Sequence, residues 1–249
     1  MEGTQANETL EEAVRHLGEL RGRLIKVALW FLVLLAAGLY AAPDLLLLLK
    51  GHPFAVPVVW NVFSLTDGLF IYMRCAFLVA AVGTLPVLLY QIWAFVRPGL
   101  TPDEARGSLL YVPVSFALFI VGLAFGYFGV FPMMVGFLQK MNLSIGAVET
   151  YGIDRYFSFL FNVVIPVAVA FEMPLVAVFL TRIGVLTPER LRRTRKYAYL
   201  ALAITGSCIS PPDFVSHLSV TVPLILLFEI SVFVSAKYYG RRLAPAAGR

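Results

Sequence analysis

The chain has 249 residues, of which 59% are hydrophobic and only 14% are charged. Soluble domains contain roughly 45–50% apolar and about 25% charged residues, so this composition excludes an ordinary soluble domain. It indicates a protein that crosses the bilayer several times. The net charge of +5 would also suit nucleic acid, but the positions of the basic residues explain the charge through membrane topology, and no nucleic-acid partner is predicted.

Residues 1–24 predict an amphipathic helix that lies along the inner membrane interface. Apolar residues recur there at three- and four-residue steps, and Thr9 with Glu12 forms a capping box. The polar side carries Glu19, four residues from both Arg15 and Arg23. Pairing within the helix would account for these charges. A binding site for a cationic ligand is the alternative.

Six apolar segments within residues 25–236 predict an all-α transmembrane domain of six helices, in a bilayer that requires about 20 apolar residues for a full span. The predicted segments are 25–42, 68–95, 109–131, 156–181, 197–209 and 217–236. The last two are predicted to be short, and at 1.5 Å per residue the fifth reaches only about 20 Å. Residues 43–66 and 132–154 are predicted as outer loops, and residues 210–213 as an outer turn.

The basic residues predict the orientation of these helices. All but four of the 20 lysines and arginines fall on one side of the predicted membrane, the exceptions being Lys50, Arg74, Lys140 and Arg155. Because loops rich in Lys and Arg stay in the cytoplasm, both termini are predicted to be cytoplasmic. Residues 237–249 then form a basic cytoplasmic tail.

Two acidic residues interrupt the predicted membrane segments. Glu172 lies in the cytoplasmic half of the fourth segment, and Glu229 is similarly placed in the sixth. An ionised acid in a membrane helix is costly, so Glu172 must face other helices or water. Hydrogen bonding to a neighbouring helix is one interpretation of Glu172, and a functional polar site is the other. Asp213, in the outer turn, is predicted to cap the last helix.

A third acid, Glu104, has a local structural explanation as well. The sequence predicts the start of a helix here, with Thr101 as N-cap, Pro102 at the first helical position and Glu104 at the third. A capping role does not prevent Glu104 from also binding a ligand, so both interpretations stay open. Together with Glu19 it would form a local anionic site on a strongly basic face, and guanidinium groups suit such a site because they bond carboxylates in a planar fork.

The sequence contains no motif that indicates an enzyme active site. His16, His52 and His217 lie in different segments without metal-ligand spacing. No phosphate-binding loop, nucleophile elbow or paired nucleophile and base is visible. No catalytic residue, metal or cofactor is therefore predicted.

Six short motifs, and the loop around Pro98 and Glu104, occur in a fixed order along nearly the whole chain. They read HLGELRGRL (16–24), LPVLLYQIWAF (85–95), FEMP (171–174), RKY (195–197), SPPD (210–213) and LFEI (227–230). In this order across six spans they resemble the TatC family, the multispanning receptor subunit of the twin-arginine protein translocase. Two positions depart from the family pattern, namely Ala105 after the loop acid and Asp67 at the entrance of the second span.

The resemblance implies a glove-shaped, six-helix fold with a concave face, in the bacterial cytoplasmic membrane. It implies that Glu19, Arg21, Phe95 and Glu104 bind the paired arginines in the signal peptide of a folded precursor. Glu172 would be the intramembrane polar residue that lines the concave face, within reach of an inserted signal peptide or a partner helix.

The resemblance also implies a hetero-oligomer in the lipid bilayer, with TatA-like and TatB-like single-span subunits that contact the fifth and sixth spans. Candidate residues for structural roles or for these contacts are Pro86, Asp213, His217 and Glu229. A proton-coupled secondary transporter is the alternative, since it would use Glu172 and Glu229, but the paired broken helices of such transporters are not visible. A passive membrane scaffold would need no cytoplasmic acids.

Overall fold

The computed structural model describes residues 2–50, 60–97, 109–148 and 150–243. Its helices are α1 (Glu2–Lys50), α2 (Asp67–Val96), α3 (Tyr111–Phe125), α4 (Phe131–Ser144), α5 (Ile153–Ala170), α6 (Met173–Arg182), α7 (Pro188–Arg193), α8 (Arg195–Ile209) and α9 (Phe214–Leu243). The π-helical turn Gly126–Val130 joins α3 to α4. Two short parallel strands, β1 (Trp60–Asn61) and β2 (Tyr151–Gly152), pair with Trp60 opposite Tyr151.

Helices that are long and apolar enough to cross a membrane dominate the described part of the chain. Five stretches meet these criteria of length and composition, namely Gly18–Leu49, Asp67–Val96, Tyr111–Ser144, Ile153–Arg182 and Phe214–Tyr239. In the fifth predicted segment lies α8, whose 15 residues reach only about 22 Å at 1.5 Å per residue. The predicted all-α membrane fold is confirmed, including the short fifth helix.

Two predicted outer loops are partly helical, and this corrects the sequence analysis. The helix α1 continues through Pro43 to Lys50, and α4 includes Pro132 and ends only at Ser144. The amide of Phe131 bonds to the carbonyl of Gly126, five residues earlier, so a π turn absorbs the shift in hydrogen bonding just before Pro132. Proline is tolerated in apolar helices where such local adjustments satisfy the backbone.

The prediction of a short last helix is also wrong, because α9 is 30 residues long. It begins at Phe214, directly after the turn at residues 210–213, and passes the predicted limit at Ala236. The extra turns contain Lys237, Tyr238 and Tyr239, whose side chains combine an apolar body with a polar tip. Such residues let a helix leave the hydrocarbon without ending.

The described part of the chain divides into two compact units. The first comprises Met1–Lys50 and Tyr72–Val112. In it, α1 crosses α2 at small residues, since a Cβ atom added to Gly38 would lie 2.7 Å from the carbonyl oxygen of Ala76. Phe31 and Phe77 make an edge-to-face contact with ring centroids 5.5 Å apart. Small residues allow this close approach of membrane helices.

The second unit comprises Gly51–Ile71 and Pro113–Arg249. Its core draws on α4, α5, α8 and α9, with Met134, Val163, Val167 and Val220 fully buried. A second contact joins α6 to α9, where the hydroxyls of Thr181 and Ser235 lie 2.7 Å apart. Polar pairs of this kind stabilise helix association where every polar group must be satisfied inside the protein.

Candidate functional site

The predicted signal-peptide residues lie in the first unit. Glu19 and Arg21 are exposed on α1, and Phe95 is half-buried in the last turn of α2. Between them, Nη1 of Arg23 donates a hydrogen bond to Oε1 of Gln91 at 3.3 Å, which ties the two helices together beside Glu19. Glu104 lies outside the described residues, so the structure does not test its proximity to Glu19.

The end of α2 carries an aromatic and basic cluster that the sequence analysis did not single out. The guanidinium of Arg97 lies 5.4 Å from the ring centroid of Trp93, and Tyr90 stacks obliquely with Trp93 at 5.7 Å. The four-residue spacing of Trp93 and Arg97 on a helix was the available signal. A cation over an indole face stabilises this end of the helix near the predicted site.

Glu172 lies at a break in the fourth membrane segment, which the sequence predicted to be one continuous helix. The helix α5 ends at Ala170 and α6 begins at Met173. Pro174 explains the break, because its ring clashes with the carbonyl four residues earlier and it has no amide to donate. At the break the amide of Phe171 still bonds to the carbonyl of Val167, whereas the amide of Glu172 bonds to the carbonyl of Val169, three residues earlier.

The Glu172 carboxyl has one partner among the described residues. Oγ of Ser115, on α3, donates a hydrogen bond to Oε2 of Glu172. The Ser115 side chain is almost fully buried. The second oxygen, Oε1, is also buried and makes no hydrogen bond to the described residues. One of the two carboxyl oxygens is therefore bonded to a neighbouring helix, as one interpretation of the sequence predicted.

A close helix crossing brings these two side chains together. A Cβ atom added to Gly122 on α3 would lie 2.7 Å from the Cα atom of Ala168 on α5 and 2.9 Å from the Cβ atom of Phe171. One turn later, a Cβ added to Gly126 would lie 3.1 Å from Cα of Val164. Only glycine permits this approach.

Glu229 does not share the Ser115 contact with Glu172, and it has its own cluster. It accepts a hydrogen bond from Nη2 of Arg195 at 2.7 Å and one from the hydroxyl of Tyr199 at 2.5 Å. Tyr199 also makes an edge-to-face contact with Phe228. These contacts join the start of α8 to α9. No sequence motif predicted the pairing with Arg195, which lies 34 residues away.

The turn at residues 210–213 and the start of α9 contain the predicted cap and a histidine that lies near two hydroxyls. Oδ1 of Asp213 accepts a hydrogen bond from the amide of Ser216 at 2.7 Å, so the predicted helix cap is present. His217 lies between two hydroxyls, 3.3 Å from Ser207 and 3.5 Å from Thr221. Pro86, by contrast, is half-buried within the uninterrupted α2.

Replacing Asp213 with alanine is expected to lower the free energy of unfolding by about 1 kcal/mol, because the first turn of α9 loses its cap. Asp213→Asn keeps an acceptor oxygen and is expected to restore most of this loss. Unfolding of the purified variants in mixed detergent micelles measures both values. An equal loss in the two variants would mean that the negative charge, and not the cap, stabilises the turn.

No group of three or more His, Cys, Asp or Glu side chains within the described ranges could hold a metal ion. The polar contacts described above join neighbouring helices or cap a helix. They suit recognition and conformational coupling between helices.

Comparison with known proteins points to a protein translocase. The family model described as "Sec-independent protein translocase protein (TatC)" matches residues 15–223. The chain is 42% identical to a protein of that description from Halalkalibacterium halodurans over 233 residues, which cover 94% of this chain and 92% of the relative. It is 32% identical to the Escherichia coli K12 protein over 237 residues, with 94% and 92% covered.

A solved structure agrees with these sequence matches. A crystal structure of "Twin Arginine Translocase Receptor- TatC" superposes with a TM-score of 0.79 at 34% identity and covers 90% of this chain and 99% of that chain. The comparisons favour a translocase component over the proton-coupled transporter. The chain belongs to the TatC family of Sec-independent protein translocase proteins.

Proposed function

We propose that the chain is the receptor subunit of the translocase and binds the paired arginines of twin-arginine signal peptides. The observation that carries this proposal is the Arg23–Gln91 hydrogen bond, beside which Glu19 and Arg21 remain exposed on α1. The contact holds the N-terminal helix against the end of α2, so Glu19 is displayed from a rigid support. The similar crystal structure is that of a twin-arginine translocase receptor.

The chemistry of the ligand follows from the acids. Glu19 and Glu104 are carboxylates on a face that is otherwise rich in Lys and Arg. A guanidinium can form two parallel hydrogen bonds with one carboxylate, whereas an ammonium presents a point charge. Two acids can then distinguish a pair of arginines from a pair of lysines of equal charge. Phe95 supplies an apolar neighbour for the adjoining signal-peptide residue.

The same proposal sets the orientation and location. The bias of basic residues toward one side supports cytoplasmic N and C termini. With that orientation, Glu19 and Glu104 face the compartment in which precursors fold. The long apolar helices support a multi-pass protein of the bacterial cytoplasmic membrane.

Glu172 is proposed to act after recognition, when an apolar signal segment or a partner helix enters the membrane. The single-span TatA-like and TatB-like partners are proposed to contact the last two helices. For the last helix, support comes from an apolar groove of about 360 Å³ that α9 lines together with Met133 of α4. Its lining residues include Met133, Phe214, Leu218 and Val222.

The test compares two peptides on the purified full chain. A signal peptide with Arg-Arg is expected to bind about tenfold more tightly than its Lys-Lys counterpart, and Glu19→Ala or Glu104→Ala is expected to remove most of this preference. Tenfold corresponds to about 1.4 kcal/mol, close to the range for hydrogen bonds to charged groups. Fluorescence titration with labelled peptides measures these affinities.

Glu189→Ala is the matched control for these variants. Glu189 is exposed, and a Leu-Thr-Pro sequence precedes it as one also precedes Asp103 and Glu104. The variant therefore removes one acid from a similar sequence outside the proposed site. It is expected to leave both affinities unchanged. Equal binding of the Arg-Arg and Lys-Lys peptides by the unaltered chain would refute the proposed function.

A further inference from the structure

The environment of Ser115 indicates a role beyond packing. This serine lies four residues after the start of α3, is 1% exposed, and donates its only described side-chain hydrogen bond to Oε2 of Glu172. Two other buried serines, both on α9, bond to their own helix: Ser219 donates to the carbonyl of Val215 and Ser231 to the carbonyl of Leu227, each at 2.7 Å. Ser115 instead donates its hydrogen to a carboxyl group 57 residues away.

The hydrogen bond from Ser115 fixes the orientation of the Glu172 carboxyl group. Glu172 lies in the turn between α5 and α6, where its amide bonds to the carbonyl of Val169 at 3.1 Å and its carbonyl accepts a hydrogen bond from the amide of Val176 at 2.9 Å. With Oε2 held by Ser115, the second oxygen, Oε1, is buried and has no hydrogen-bond partner among the described residues. A carboxyl group with one fixed oxygen presents its other oxygen in one direction, which reduces the entropy lost when a partner binds.

We propose that Ser115 is a positioning residue that orients Glu172 for the membrane-inserted step of translocation. The inference rests on the proposed function, because it concerns what Glu172 does after recognition. Ser115 holds one carboxyl oxygen of Glu172. The other oxygen accepts a hydrogen bond from, or donates one to, a polar group of the helix that enters beside α5 and α6. The close crossing at Gly122 keeps the serine and the acid in register.

The contact makes a spectroscopic prediction that a packing role does not share. The infrared band of the Glu172 carboxyl is identified as the one lost in Glu172→Gln. It is expected to shift in Ser115→Ala, because the oxygen loses its donor, and to return toward its original position in Ser115→Thr. Ser231→Ala, which removes an equally buried hydroxyl from a backbone contact, is expected to leave the band in place.

Export supplies the functional measurement. In a bacterial host that lacks its own TatC-family protein, the full chain and its partner subunits carry a folded reporter with an Arg-Arg signal peptide. Ser115→Ala is expected to slow export about tenfold, the change expected when a hydrogen bond to a charged or acidic group is lost. Ser115→Thr is expected to restore it, and Ser231→Ala to leave it unchanged. Binding of the Arg-Arg peptide to the purified Ser115→Ala variant is expected to stay normal.

The results separate this proposal from the receptor function. Equal binding of Arg-Arg and Lys-Lys peptides by the unaltered chain would refute the receptor function. The infrared result would still test the Ser115–Glu172 hydrogen bond independently. An unshifted band in Ser115→Ala, or a shifted band with normal export, would overturn the positioning role while the receptor stands. Should threonine prove too large for α3 to fold, Ser115→Cys keeps a weaker donor of similar size, and its export must fall between serine and alanine.

Discussion

Gly122→Ala is expected to destabilise the second unit by about 2–3 kcal/mol, at the upper end of the usual cost of overpacking. The added methyl group would lie 2.7 Å from Cα of Ala168 and 2.9 Å from Cβ of Phe171. Neither atom is the flexible end of a side chain, so α3 and α5 must separate. Unfolding of the purified protein in mixed detergent micelles measures the loss.

Gly136→Ala is the matched control, because Gly136 lies on α4 and a Cβ atom there would meet nothing within 4 Å. Both substitutions gain the same helix propensity, up to about 1 kcal/mol. The difference between the two variants therefore reports the crossing alone. If Gly122→Ala were as stable as Gly136→Ala, the close approach of α3 and α5 would be wrong.

The same variant has a consequence for the intramembrane acid. Ser115 lies two turns before Gly122 on α3, and Glu172 follows Phe171 directly. Separation of the helices at Gly122 is expected to lengthen the Ser115–Glu172 hydrogen bond. The infrared band of Glu172 should then move in Gly122→Ala as it does in Ser115→Ala, which links the crossing to the site.

The sequence was sufficient to identify the membrane helices because apolar runs have few alternatives in lipid, where the backbone must bond to itself. It misplaced the ends at Pro43 and Pro132, since proline often marks a boundary in soluble proteins. In α1 the apolar run continues beyond Pro43, and before Pro132 a π turn absorbs the missing bond. The Asp213 cap was predictable because its partner Ser216 is three residues away.

Local sequence patterns could not predict the hydrogen-bond partners of Glu172 and Glu229. Ser115 precedes Glu172 by 57 residues, and neither periodicity nor capping rules select one serine among many. The helix crossing at Gly122 decides the pairing, and that crossing depends on how whole helices pack. Arg195 was assigned to topology because it stands in a basic run, although its guanidinium bonds to Glu229. Glu104 remains a prediction, since it lies outside the described residues.

Glu229→Leu is expected to lower the free energy of unfolding by about 2 kcal/mol. The substitution removes the acceptor for both Arg195, at 2.7 Å, and Tyr199, at 2.5 Å. Truncating one partner of a buried, hydrogen-bonded charge pair costs roughly 2–5 kcal/mol, much of it from the charge that stays behind. The side chains of Arg195 and Glu229 are 42% and 33% exposed, so the lower end of that range applies.

A triple variant distinguishes the cost of an unpaired Arg195 charge from the cost of the lost hydrogen bonds. Arg195→Met with Glu229→Leu and Tyr199→Phe removes every polar member of the cluster at similar volume, and replacing a buried ion pair by apolar residues is often neutral or stabilising. The triple variant is therefore expected to be more stable than Glu229→Leu alone and close to the unaltered chain. If it lost as much stability as the single variant, the loss would come from the missing hydrogen bonds between α8 and Glu229, and not from a guanidinium left without its partner.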